Sequence, residues 1–254
     1  MNYYLYAFIP VTVLPQPELL GLSGGQLEVI TAGDVAVLVE AVNGKAFALE
    51  LEQQAQDPTW LAAKAVQHDT IVNAHLAQGL IPLRFGTLLE SREAVLELLA
   101  AQPNLAARLL ALRGKREFTV RVWADRAILE PRLIGDNEVL DDLQVQLSSA
   151  PKGKAYLLER RLREAFEKVF KATLPELRVM AFGLLSDLTD AVLPLEKTPA
   201  STPERYGLLE AAVLLGARDE TLLHGELAQW LERYGLATTI SQGFAAYYFA
   251  AEGA

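Results

Sequence analysis

Strand-length apolar runs and helix-length amphipathic stripes take turns along this chain, and their order leaves few folds open. Tyr3-Tyr4-Leu5-Tyr6-Ala7-Phe8-Ile9 is aromatic-rich, stops at Pro10 and reads as a buried strand. A Pro/Gly-containing loop covers 10–25. Residues 26–31 and 35–42 read as two more strands, with Gly33-Asp34 as the tight turn between them. Asp57-Pro58 opens a helix, because the aspartate can accept orphan N–H groups and the proline has none to offer. Leu61, Ala65, Val72 and Leu76 form its stripe, and Gly79 stops it. Residues 80–83 form a short apolar strand, after which Ser91 caps a helix with Val95, Leu96 and Leu99 inward.

The pattern restarts after Gly114. Phe118, Val120 and Val122 alternate with Glu117, Thr119 and Arg121, the period of a half-buried strand. Residues 131–153 read as a polar connection, 154–173 as a helix and 178–184 as a strand. A proline-punctuated, mobile excursion is expected over 186–205. An apolar strand over 208–215, a helix over 219–234 and a final strand pair over 237–240 and 245–249 complete the reading. This order predicts an α+β protein of two domains, 1–113 and 114–254, each an antiparallel sheet with helices on one face. The second half has the β-α-β-β-α-β order of a ferredoxin-like unit, and the first is a modified version of it.

Composition narrows the function classes. A formal net charge of -9 argues against a nucleic-acid partner. The absence of cysteine removes disulfides, thiolate metal sites and thiol nucleophiles, and fits a reducing compartment. The opening residues lack the basic start of a secretory signal, and no apolar run approaches the ~18 residues of a membrane span. A soluble intracellular protein with no membrane partner is expected.

Few motifs carry chemistry. Leu22-Ser23-Gly24-Gly25-Gln26 spells the signature pentapeptide of ABC-type ATPases, but no P-loop accompanies it, so it reads as a glycine turn. His68 and His75 lie seven apart on one helix, not at the i,i+4 spacing of helical zinc ligands, and read as core-edge histidines donating to carbonyls or carboxylates. His68-Asp69 and Ser91 lack the nucleophile elbow of a hydrolase. No metal or cofactor is expected. Arg84 is the one polar group in Leu80-Ile81-Pro82-Leu83-Arg84-Phe85. It reads either as a structural fork to Glu117 or Glu90, or as a contact for a partner or ligand carboxylate. Phe244, Tyr247, Tyr248 and Phe249 crowd the end of the chain, a composition suited to protein contact.

Taken in order, these blocks resemble the gas vesicle protein F/L family. The resemblance is carried by Tyr3-Tyr4-Leu5-Tyr6-Ala7, the segment 32–39, His68-Asp69, and above all Ile81-Pro82-Leu83-Arg84-Phe85-Gly86-Thr87. Leu112, Gly114, Glu117, Phe118 and Val120, and then the apolar segment 208–215, extend it over nearly the whole chain. One departure is the tail: the family's proline-rich ending is replaced by Gln242-Gly243-Phe244-Ala245-Ala246-Tyr247-Tyr248-Phe249. The resemblance implies a non-catalytic accessory or minor structural protein of gas vesicle assembly, without cofactor. Its expected partners are the shell protein and other accessory proteins, and its expected place is the gas vesicle within the cytoplasm. Arg84, Phe85, Phe244, Tyr247, Tyr248 and Phe249 are the expected partner contacts. The alternative is a small-molecule sensor or enzyme on a ferredoxin-like scaffold, which requires His68, Arg84 and Glu117 to converge.

Overall fold

The computed structural model describes residues 1–54, 56–216 and 219–251. The chain divides into two compact units. The first comprises Met1–Glu117, Leu214–Ala217 and Gln242–Ala254; the second comprises Phe118–Val213 and Arg218–Ser241.

The first unit contains strands β1 (Asn2–Pro10), β2 (Leu27–Ala32) and β3 (Val35–Val42), then helices α1 (Gly44–Gln54) and α2 (Pro58–Asn73). Short strands β4 (Ile81–Pro82) and β5 (Leu88–Leu89) precede α3 (Arg92–Ala100) and α4 (Leu105–Leu112). The sheet order is β2-β3-β1-β4, with β5 also pairing β1, and the pairings are antiparallel. Asp57 caps α2 through the N–H groups of Thr59 and Trp60, and Ser91 caps α3 through that of Ala94.

Helices cover both faces of this sheet, which corrects the one-face expectation. Tyr4, Tyr6 and Ile9 of β1 pack with Phe47 of α1 and Ile71 and Val72 of α2. Tyr3, Leu5 and Phe8 pack with Val95 and Leu99 of α3 and Leu105 and Leu109 of α4. The sequence carries the reason. A strand covered on one side alternates, whereas 3–9 and 36–39 are unbroken apolar runs, as two-sided burial demands. A register irregularity between Leu5 and Ala7 shifts the parity of β1, so Tyr4, Tyr6 and Ile9 share a face.

Strand β6 (Lys115–Asp125) leads into the second unit. Helices α5 (Arg126–Asp136), α6 (Glu138–Ser148) and α7 (Lys152–Leu188) follow, then β7 (Ala191–Pro194), β8 (Arg205–Gly216), α8 (Glu220–Tyr234) and β9 (Leu236–Ile240). The sheet order is β7-β8-β6-β9. Three segments differ from the sequence reading. Residues 131–153 are not a connection but most of α5 and all of α6. Asp125 accepts from Ile128 N–H and Asn137 from Leu140 N–H, so each helix has its own cap. Residues 178–184 are not a strand, because α7 continues through Pro175 and buries Phe170, Leu174, Ala181 and Leu185 at helical spacing. Within 186–205, α7 ends and β7 forms. No single helix among the described residues is long and apolar enough to cross a membrane.

Candidate functional site

The chemistry-bearing side chains of the first unit fall into two buried networks, a clasped tail and an open cleft. The first network surrounds Glu40 on β3, which is fully buried. Tyr6 O–H donates to its Oε2 at 3.1 Å, and Gly25 N–H donates to Oε1 at 2.8 Å. Ser23 adds its N–H and its hydroxyl, the latter at 2.5 Å. Leu22 N–H donates to Tyr6 Oη at 2.9 Å. The pentapeptide that resembles an ATPase signature is therefore a nest of N–H groups filled by the chain's own carboxylate. A Cβ at Gly21 or Gly25 would collide with the Glu40 carboxyl group, and Gly24 has φ +82°, where a side chain is strained.

The second network holds the segment 82–87. His68 Nε2 faces Leu83 O at 3.1 Å, and a carbonyl can only accept, so this nitrogen carries the proton. His68 Nδ1 then accepts from the Tyr4 hydroxyl at 3.0 Å, and the same hydroxyl accepts Gly86 N–H at 2.9 Å. Burial lowers the pKa of His68 and pushes the Tyr4 phenol up to about 12. Phe85 closes edge-on against both rings. Gly86 has φ +88°, a conformation that strains any side chain, and Leu5 N–H donates to Thr87 O at 2.9 Å. His75 donates from Nδ1 to Ile71 O at 2.9 Å. Both histidines thus serve the core, and no cluster of metal-binding groups occurs among the described residues.

The tail supplies the third feature. Glu117 is fully buried, and its Oε2 accepts Tyr248 N–H at 2.9 Å and Phe249 N–H at 3.4 Å. These N–H groups belong to the first turn of α9 (Tyr247–Ala251). Residues 245–249 are therefore not a strand. An acidic side chain at the start of the turn satisfies the donors that a helix leaves free. Burial pushes Glu117 up to about 7, and its Oε1 has no partner among the described residues. Around it, Glu117 and Phe244 exchange backbone hydrogen bonds at 2.9 Å, and Asn73 Oδ1 accepts Ala245 N–H at 3.1 Å. Tyr247 O–H donates to Asp69 at 2.7 Å, and Arg108 donates to Ala250 O at 2.7 Å. The tail belongs to the first unit, not to the second half where the sequence pattern placed it.

The fourth feature is an open cleft of about 560 Å³ in the first unit. Ile81, Leu83 and Leu98 give it an apolar floor, and Arg84, Arg108 and Tyr248 supply polar groups. No Asp or Glu occurs among the described residues that line it. Arg84 is exposed and forms no fork among the described residues: Glu117 is occupied by the tail, and Glu90 is itself exposed and pairs with no arginine among them. Of the six expected contact residues, Arg84, Tyr247 and Tyr248 meet at this cleft. Phe85 packs inward, and Phe244 and Phe249 contribute backbone groups to the tail clasp. Sequence reasoning missed Arg108, Glu40 and Asn73; only the unexplained glycines near 21–25 hinted at a buried anion. His68, Arg84 and Glu117 occupy separate environments, which removes the convergence that the sensor or enzyme reading requires.

The model of the family described as "Gas vesicle synthesis protein GvpL/GvpF" matches residues 2–251. Gas vesicle protein L1 of Halobacterium salinarum is 26% identical, over 97% of this chain and 89% of its own length. Gas vesicle protein L of Haloferax mediterranei is 24% identical over 67% of this chain and 55% of its own length. The crystal structure of GvpF from Microcystis aeruginosa superposes with a TM-score of 0.62 at 17% identity, covering 98% of each chain. That of GvpF from Anabaena gives 0.61 at 17% identity, covering 98% of this chain and 95% of the other.

Proposed function

From the premise that this chain belongs to the gas vesicle synthesis protein GvpL/GvpF family, we propose that it is an accessory or minor structural protein of gas vesicle assembly. It works by protein–protein contact with the shell protein and with other accessory proteins, at the gas vesicle within the cytoplasm, and without catalysis. The observation that carries this reading is the family match over residues 2–251. The site geometry supports it. The groups that would serve as acid, base or ligand are spent inside the first unit, while the open cleft keeps exposed side chains for contact. Arg84 and Tyr248 are the proposed contact residues, with Tyr247 fixing the helix that presents Tyr248.

The second unit is read as ferredoxin-like, supported by its β-α-β-β-α-β order and its β7-β8-β6-β9 sheet, and the first as a modified ferredoxin-like domain. The test of function is genetic and biochemical together. Deletion of the gene should abolish or reduce vesicles, and the purified protein should capture the main shell protein. Normal vesicles in the deletion strain with no capture would overturn the proposal.

A further inference from the structure

We infer that the cleft walled by α9 and the 81–87 segment receives an apolar stretch of a partner protein that carries a carboxylate, held between Arg84 and Arg108. This rests on the proposed contact function and names the chemistry of the partner surface.

The charge pattern makes the case. The chain has a net charge of -9, yet the described residues lining this cleft include two guanidinium groups and no carboxylate. Arg84 is exposed with no ion-pair partner among the described residues. Arg108 donates from Nη2 to Ala250 O at 2.7 Å, while its Nη1 is buried without a partner. A buried guanidinium N–H left unpaired is costly, and guanidinium forks match carboxylates in shape as well as charge. Arg108 is half-buried and Arg84 exposed, and both line the cleft, so an incoming carboxylate would meet the open part of both guanidinium groups. The floor of Ile81, Leu83 and Leu98 asks for aliphatic neighbours on the ligand. Tyr248, 47% exposed at the same cleft, is a residue type enriched where proteins meet. Net charge sets the field at a distance and repels acids, so recognition must come from short-range contact with these two arginines.

A short fluorescein-labelled peptide of leucine, alanine and glutamate is the probe, with glutamine and lysine versions as controls, read by anisotropy against the full chain. The glutamate peptide should bind at least about tenfold more tightly than the glutamine peptide, as expected for charge-assisted hydrogen bonds. Arg84→Glu should fold normally, because Arg84 is exposed and unpaired, and should reverse the preference towards the lysine peptide. Arg108→Lys keeps the charge but loses the fork and should weaken binding several-fold. Equal binding of all three peptides, no binding of the glutamate peptide, or an unchanged preference in Arg84→Glu would overturn the inference. So would a site that takes dodecanoate but no peptide. Capture of the shell protein separates the two levels. If both the natural chain and Arg84→Glu capture it, the assembly reading stands and the cleft inference fails. If neither captures it while the peptide preference holds, the inference stands and the assembly reading loses its support.

Discussion

Glu117→Gln should make the first unit more stable at alkaline pH and leave it unchanged in acid. Glu117 is buried, accepts two N–H groups from α9, and titrates near 7 instead of the ordinary 4.5. The folded state therefore holds this proton more tightly than the unfolded chain does. The favourable contribution is complete below about 4.5 and is lost as pH rises through about 7. At about 1.4 kcal/mol per pH unit, ionised burial costs at most about 3 kcal/mol above that window. Glutamine keeps an oxygen to accept Tyr248 N–H and cannot ionise. The assay is thermal unfolding from pH 5 to 8.5, comparing the two proteins at each pH so that other titrating groups cancel. The curves should converge as pH falls to 5 and meet only below about 4.5. At pH 8 the variant should melt higher by several degrees, at about 2–4 °C per kcal/mol for a chain of this size. Parallel curves across the range, or a less stable variant at pH 8, would refute the account of Glu117 as a desolvated carboxylate.

Other changes test the remaining networks. Glu40→Ala leaves Ser23 and Gly25 N–H and the Tyr6 hydroxyl unpaired, and should cost about 3 kcal/mol or more by urea unfolding. His68 has a lowered pKa, so its contribution is present above 6.5 and lost as pH falls through the lowered value; nitrogen NMR should find a neutral ring protonated at Nε2 at about pH 7. Tyr4→Phe removes the hydroxyl that joins His68 to Gly86, and hydrogen exchange over 84–88 should speed up while α8 is unaffected. Truncation after residue 241 should accelerate exchange in β1 and α2, not in β9, because the tail contacts are made with the first unit.

Much of this fold could be read from local signals, and the misreadings share a cause. Strands β1, β2, β3, β6 and β9 and the capped helices α2 and α3 announce themselves through apolar period and cap residues. Residues 178–184 misled because a short apolar run fits a strand or a buried helix equally well, and only Ala181 and Leu185 meeting the core at helical spacing decides it. Pro131 opens the stretch read as a connection, yet it lies inside α5, as Pro175 lies inside α7. The tail misled for a different reason. Its helix is capped by Glu117, more than a hundred positions away, and no local pattern reports a long-range cap. The same holds for the site: His68 and Arg84 stand out in sequence, but that one is spent on the core and the other left in a cleft beside Arg108 is a fact of topology.

The return of residues 242–251 to the first unit has a consequence for biosynthesis. The second unit is made entirely between two parts of the first, so during translation it is complete before the first has its last piece. Until that piece arrives, Glu117 has no N–H groups from α9, Asn73 has no Ala245 to receive, and Arg108 has no Ala250 carbonyl. The nascent chain thus carries a finished second unit behind an unfinished first one. Its cleft gains Tyr247, Tyr248 and Ala250 only after the second unit has been made, so partner contact at that cleft is deferred until then.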